Sequence, residues 1–515
     1  MKAFSTSSHN SNPSSSSSSK LLSLHLIPFR SSIRTLIFKV KPFWLQLGYF
    51  TCSSLLGYLA LTISKPRTRK FGPTYSELDI FFTSVSASTV SSMSTVEMEV
   101  FSNFQLIVLT ILMVLGGEIF TSMLELLIKR SEYHYNVSTN PRLTTEETQS
   151  DPEKNIGESS PNDQQDNENL KYNSIRTLSS VVMAYLVVVH FTGSGLIAFY
   201  VTVVVGAKQV LETKGLSVLT FSVFLTASTF TNCGYAPTNE NMVVFRKNSG
   251  LLLLLIPQIL MGNTLYAPCL RFLIWVLEKT TKRGEYRYIL KNYKAIGYPH
   301  LLSGLRCYLL VGTVVVFLLV QLVMFCSLEW SSGSMIGMNT YEKLVGSLFQ
   351  VVNSRHAGET VVDLSIISPA ILVLFVVMMY LPPYTSFMPV KEQKDDEKQI
   401  KRNGVVQYLL FSQLTYLAIS VILICITERE KLKNDPLNFN VLFIAVEVFS
   451  AYGNVGFSTG YSCQRQLKPE ANCHNFLFGF VGKWSSGGKI ILIFVMFFGR
   501  LKRFSMKNGK AWKLS

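Results

Sequence analysis

The sequence predicts an all-α polytopic membrane protein, with eight transmembrane helices in four span–pore-loop–span repeats around one central pore. Three observations carry this. The first is composition: of 515 residues, 48% are hydrophobic and only 16% charged, where a soluble protein carries about a quarter charged. The second is that the apolar stretches approach the roughly 20 residues needed to cross a bilayer and come in pairs. The third lies inside each pair, where a shorter apolar, helix-compatible stretch ends in a polar quartet. The quartets are Thr89-Val90-Ser91-Ser92, Thr231-Asn232-Cys233-Gly234, Arg355-His356-Ala357-Gly358 and Gly453-Asn454-Val455-Gly456. Three of them are preceded, three residues earlier, by a serine: Ser86, Ser228 and Ser450. Polar, non-helical backbone is tolerated at membrane depth only where it lines water or is buried in protein. Four such loops meeting on one axis would form an ion pore whose filter is made of backbone carbonyls.

Taken in order, residues 1–35 are rich in serine and lack acidic residues, and read as a disordered cytosolic tail. Residues 36–130 form pore repeat 1, with spans at Phe43–Ser64 and Phe101–Ile128 and a pore helix at Ser76–Val90. Residues 131–172 are rich in Asn, Glu, Asp and Thr and read as a disordered cytosolic linker. Repeat 2, residues 173–303, has spans at Ile175–Val205 and Gly250–Leu277 around a pore helix at Val218–Thr231. Repeat 3, residues 304–403, has spans at Leu305–Cys326 and Ser368–Met388, a pore helix at Tyr341–Ser354 and a charged linker. Repeat 4, residues 404–515, has spans at Val405–Ile426 and Gly488–Gly499, a pore helix at Asn438–Tyr452 and a basic tail. Gly262-Asn263-Thr264 and Pro382-Pro383 interrupt two of these spans, as hinges or as tolerated kinks.

Net charge is +16. The basic residues cluster at the ends of apolar spans, which fits membrane topology rather than nucleic-acid binding. An even number of spans puts both termini on one side. Six Lys/Arg and no acid in residues 1–42, with Lys129-Arg130, Lys279–Lys294 and the C-terminal tail, mark that side as cytosolic. Lys65, Arg67, Arg69 and Lys70 run against the rule. No nucleotide-binding loop of Walker or dinucleotide type appears, no cofactor is expected, and the histidines do not cluster as an enzyme would require. Cys463 and Cys473 share a polar loop expected outside, where a disulfide and two free thiols both fit.

A dehydrated cation needs oxygens in place of its water, and glycine lets a backbone aim successive carbonyls at one axis. Gly234, Gly358 and Gly456 fit that role, and Ser92 breaks the pattern by adding a hydroxymethyl group at one quarter of the ring. The filter-flanking residues are Val90, Ser91, Asn232, Cys233, His356, Ala357, Asn454 and Val455. Acidic residues follow three quartets: Glu97 and Glu99, Glu240, then Glu359 and Asp363. They either concentrate cations at the outer mouth or simply cap and solvate loops. Arg500 ends the last span, as a positive-inside anchor or as a pore-facing barrier.

The four quartets, with Asn239-Glu240-Asn241-Met242 and the stretch from Tyr341 to His356, resemble the plant HKT transporters, a branch of the Trk/Ktr/HKT superfamily. The resemblance runs from about Leu36 to the C-terminus. It implies passive, channel-like cation movement across the plasma membrane, a homodimer of complete pores, and no enzymatic activity. Serine at the position of Ser92 implies the sodium-selective subfamily, and a physiology of sodium retrieval from xylem sap for salt tolerance. The alternative within the family is a sodium–potassium symporter or potassium-permeable member. The resemblance also favours Arg500 as the barrier.

Overall fold

Eighteen α-helices and no sheet make up the described part of the chain, a computed structural model that describes residues 42–64, 66–67, 75–139, 161–386, 413–467, 473–477 and 479–505. The serine-rich tail, the charged linker of repeat 3, the start of the expected span Val405–Ile426 and the last ten residues lie outside it. Two units are distinguished, Met1–Tyr49 and Phe50–Ser515, and everything below concerns the second unless stated.

The first helix, α1, is Pro42–Ile63. Then α2 (Glu77–Ser88) starts on a capping box, in which the Ser76 side chain accepts from Asp79 N–H and the Asp79 carboxylate accepts from Ser76 N–H. The stretch expected as one span at Phe101–Ile128 is two helices, α3 (Asn103–Gly116) and α4 (Glu118–Thr139), bent by 56° at Gly117. The break is steric in origin: a Cβ on Gly116 would collide with the Ser88 carbonyl at the end of α2, so the chain passes closer than any other residue allows.

Helix α4 runs to Thr139 and α5 (Pro161–Val203) begins at Pro161, so both flanks of the expected disordered linker 131–172 are helical. Once an apolar helix is nucleated, each further Glu, Gln or Asn extends it at little cost, and proline is suited to the first turn. Residues 140–160 lie outside the described structure. Next come α6 (Val205–Lys214) and α7 (Val218–Thr231), the latter matching the expected pore helix residue for residue. The following span is again broken, into α8 (Ser249–Gly262) and α9 (Tyr266–Thr281) with an 84° bend, at the flagged Gly262-Asn263-Thr264. Short helices α10 (Gly284–Lys291) and α11 (Tyr293–Ile296) lead to α12 (Gly304–Glu329). Then α13 (Thr340–His356) runs two residues beyond the expected Ser354. The later span of the third unit, α14 (Pro369–Tyr380), stops well before the expected Met388. Proline disfavours helix in the residue before it and cannot donate its own N–H, so Pro382-Pro383 ends the helix rather than kinking it. The chain closes with α15 (Gln413–Thr427), α16 (Arg429–Asn434), α17 (Val441–Gly453) and α18 (Ser486–Ser505).

Among the described residues, α12 and the Glu168–Val203 part of α5 are each long and apolar enough to cross a membrane alone, and three bent pairs qualify as broken spans. Helix α12 exposes Leu305, Val315, Leu319 and Val323, an apolar outer surface that water would not tolerate but lipid would.

Packing runs in a circle. Helices α2, α7, α13 and α17 each carry a quartet at their C-terminal end and each pack on the helix that follows in the same unit. Each following helix also packs on the quartet helix of the next unit: α3 on α7, α8 on α13, α14 on α17, and α18 back on α2. Below the breaks, Ser122 of α4, Tyr266 of α9 and Tyr298 share hydroxyl contacts of 3.0 Å, and the His300 ring meets Tyr384 at 2.6 Å. A polar knot therefore joins the segments that follow two of the bends and the end of α14.

Candidate functional site: a ring of four helix ends

The quartet helices end in the same way because their last N–H groups fold back. Ser91 N donates to Ser86 O at 2.8 Å, Cys233 N to Ser228 O at 2.8 Å and Val455 N to Ser450 O at 2.9 Å. These are the six-to-one bonds of a Schellman end, which need a left-handed residue before them. That residue is Val90 (φ 59°), Asn232 (φ 58°) and Asn454 (φ 50°). Asparagine accepts this conformation readily, whereas a β-branched valine there is strained. The serines noted in sequence also cap the turn through their side chains: Gly234 N donates to Ser228 Oγ at 3.1 Å and Gly456 N to Ser450 Oγ at 3.0 Å. Ser86 makes no such bond to Ser92.

The third end is shifted by one residue. Helix α13 includes His356, Ala357 stays right-handed, and Gly358 N donates to Asn353 O at 3.2 Å. Asn353 Oδ1 then accepts from Glu359 N at 3.1 Å, taking the part that Ser228 and Ser450 play elsewhere. Only a shared oxygen acceptor links Asn353 to those serines, and a pattern search for serine passes over it.

One residue after the bonded positions of the first, second and fourth segments, the backbone turns left-handed again at Ser92 (φ 51°), Gly234 (φ 93°) and Gly456 (φ 100°); in the third, the bonded Gly358 is itself left-handed (φ 79°). These four residues meet in cyclic order. A Cβ on Gly234 would strike the Ala357 carbonyl, one on Gly358 the Val455 carbonyl, and one on Gly456 the Ser92 Cβ. Tyr235 closes the remaining side by donating to Met93 O at 2.8 Å. A small pocket opens beside the ring, lined in part by Ser92, Gly456, Glu97 and Asn241.

Residues 153–391 and 385–507 match the TrkH family of cation transport proteins. The chain belongs to that family. It is 53% identical over 482 residues to the Sodium transporter HKT1 of Arabidopsis thaliana, covering 88% of this chain and 92% of that one. It is 50% identical over 492 residues to the Cation transporter HKT1;3 of Oryza sativa subsp. japonica, covering 93% and 92%. The crystal structure of the Potassium Transporter TrkH from Vibrio parahaemolyticus shares its fold, with a TM-score of 0.50, 14% identity, and coverage of 90% of this chain and 84% of that one. This is therefore a multi-pass membrane transporter and not an enzyme.

Within this family member, the acidic residues separate into distinct roles. Lys214 Nζ sits 2.7 Å from Glu99 Oε1 and 2.7 Å from Glu240 Oε2, so one cation is shared by two of the acidic residues and offsets one of their two negative charges. Glu99 and Asn239 also bond reciprocally, backbone to side chain, at 3.0 Å each way. Glu359 is fully buried and accepts from Thr229 Oγ1 at 2.6 Å, and Asp363 caps its own turn through Ser365. Glu97 alone of the five lines the pocket, 3.3 Å from His474 Nε2. Burial holds its carboxyl above the usual range, His474 opposes this, and Glu99 and Glu240 add to it. Arg67 is explained locally too: it donates to the carbonyls of Lys214 and Gly215 at the end of α6.

Arg500 is 1% exposed. Its guanidinium donates to the Gly116 carbonyl at the end of α3 and lies 5.4 Å over the Phe50 ring. An anchoring arginine keeps its head in water or among headgroups, and this one does not. It follows Gly499, whose missing Cβ lets α18 touch the Tyr452 carbonyl at the end of α17. Gly116 and Gly262 make the same close approach to Ser88 O and Phe230 O. Arg500 thus holds the place that Gly117 and Asn263 hold in the first two units. Cys463 and Cys473 are joined by a disulfide, with Cα atoms 5.9 Å apart. Among the described residues no cluster of His, Cys, Asp or Glu could hold a metal ion.

Proposed function

We propose that this chain is a sodium-selective, channel-like uniporter that moves Na+ passively through a central pore of four span–pore-loop–span units. The observation that carries it is the Ser92 side chain set against Gly456 in a ring otherwise made of glycines. A hydroxymethyl group narrows one quarter and lowers the symmetry of the carbonyl field, which changes which ion is dehydrated most cheaply. Support comes from the circular helix packing and from the relative named a sodium transporter. Eight spans with cytosolic termini are consistent with a disulfide on the outer, oxidising side.

Arg500 is the inner barrier in this reading, a fixed cation at the end of α3 beneath the first filter segment. Plasma-membrane location, a homodimer of complete pores, and sodium retrieval from xylem rest on the resemblance to the plant HKT transporters. Two-electrode voltage clamp in oocytes tests the core of the reading. A reversal potential that follows external sodium and ignores potassium supports it, and one that follows both ions replaces it with a mixed-cation transporter. Ser92→Gly is expected to admit potassium.

A further inference from the structure

Asn454 and Ser91 meet across the boundary between the fourth and first filter segments. Asn454 Nδ2 donates to Ser91 Oγ at 2.7 Å, and both residues are buried. The same nitrogen faces the carbonyls of Ala451 and Met496 at 3.3 Å each, so the amide is oriented with its nitrogen toward acceptors. Ser91 Oγ also lies 2.8 Å from Thr89 Oγ1, and Thr89 Oγ1 donates to Val85 O at 2.8 Å. An amide N–H only donates, so Ser91 accepts from Asn454 and passes its own proton to Thr89. The chain Asn454–Ser91–Thr89–Val85 therefore has one direction and every hydroxyl in it is satisfied.

The comparable asparagine in the second segment does something else. Asn232 has the same left-handed backbone but donates to Phe230 O and Ile259 O, both in its own unit. The boundaries at Gly234 and Gly358 are met by carbonyl oxygens of the next segment. The boundary braced by Asn454 is the one where Gly456 meets Ser92.

Ser92 holds a φ of 51° against the preference of its own Cβ. Such strain persists only where the surroundings over-determine it. The residue just before it is pinned by Asn454 from one side and Thr89 from the other. We propose that this hydroxyl chain is a specificity-determining brace: Asn454, Ser91 and Thr89 are positioning residues that hold Ser92 at the distance from Gly456 that favours sodium over potassium. This rests on the reading of the four segments as a cation filter.

The experiment reads the potassium-to-sodium permeability ratio from reversal potentials in oocytes, beside surface abundance, for wild type, Ser92→Gly, Ser91→Ala, Ser91→Thr and Thr89→Val. Ser91→Ala is expected to raise the ratio about threefold to tenfold, the scale of one buried hydrogen bond felt by one ion and not the other. Ser91→Thr keeps the hydroxyl and should stay near wild type. Thr89→Val keeps shape, removes the last link, and should raise the ratio less. A merely structural role would reduce current and surface abundance while leaving the ratio alone. An unchanged ratio in Ser91→Ala, with Ser92→Gly raised, overturns the brace and leaves the filter reading standing. Unchanged ratios in both overturn the filter reading with it. If Ser91→Ala does not reach the surface, Thr89→Val decides: a raised ratio supports the brace and an unchanged one overturns it.

Discussion

Asp79 and Lys489 form a buried ion pair at 2.6 Å, joining the first turn of α2 to the first turn of α18. The two side chains are only 10% and 9% exposed. The pair thus ties the start of the described helix ring to its end. A carboxylate suits a helix N-terminus, but a lysine there opposes the dipole and needs its partner. Removing one partner of a buried pair leaves an uncompensated charge, at a cost of about 3–5 kcal/mol. Asp79→Asn is therefore expected to lower thermal stability in detergent sharply, and Asp79→Asn with Lys489→Met to restore much of it. If the double variant is no more stable than the single, the loss has another cause.

Three glycines mark places where a following helix touches the end of a quartet helix. Gly116, Gly262 and Gly499 face the carbonyls of Ser88, Phe230 and Tyr452 too closely for any Cβ. Alanine at each must push backbone apart, costing on the order of 1–3 kcal/mol or more. We expect loss of transport in each variant. Gly195 and Gly312 have open space around a built Cβ, so alanine there should leave transport and surface abundance unchanged. Equal effects at both sets would remove the packing argument.

The helices that end in the quartets were legible because their signal is local: an apolar stretch, then residues that favour caps and left-handed turns. Helix α7 matched Val218–Thr231 residue for residue for that reason. What stayed hidden depends on distant partners. The bend at Gly117 is set by Ser88 O and Arg500, far off in sequence. Lys214, which is shared between Glu99 and Glu240, lies between the expected span ending at Val205 and the expected pore helix starting at Val218, a stretch given no role from sequence. Asn353 takes the place of the serine that the third segment lacks, because its helix end is shifted by one residue. The burial of Arg500 could not be separated from anchoring by charge pattern alone.

Arg500 donates to Gly116 O from within the protein, and the proposed barrier role requires its charge to act on ions passing the ring of quartets. Arg500→Gln keeps a donor for that carbonyl and removes the charge. Lowering a cation barrier by one charge should raise conductance and alter rectification, with the reversal potential unchanged. Current–voltage curves superimposable on wild type, after scaling for surface abundance, would return Arg500 to a purely structural role.

Glu97 is expected to make transport sensitive to external pH. It lines the pocket beside the ring, and burial raises its pKa from the usual 4.5, with His474 working the other way. The carboxylate charge is present above that raised pKa and is lost as pH falls through it. Sodium current at low external sodium should therefore fall as external pH is lowered, and at a higher pH than an unperturbed carboxylate would allow. Stability responds with the opposite sign at this residue. A carboxyl whose folded pKa is raised costs the folded state stability above its unfolded value, and protonation relieves that cost as pH falls. Any loss of current through protonation of Glu97 is then a change of field beside the ring and not a loss of stability caused by this residue. Glu97→Gln should give a smaller current at neutral pH with a flattened pH profile, while high external sodium restores wild-type current. A profile in Glu97→Gln as steep as wild type would place the titrating group elsewhere.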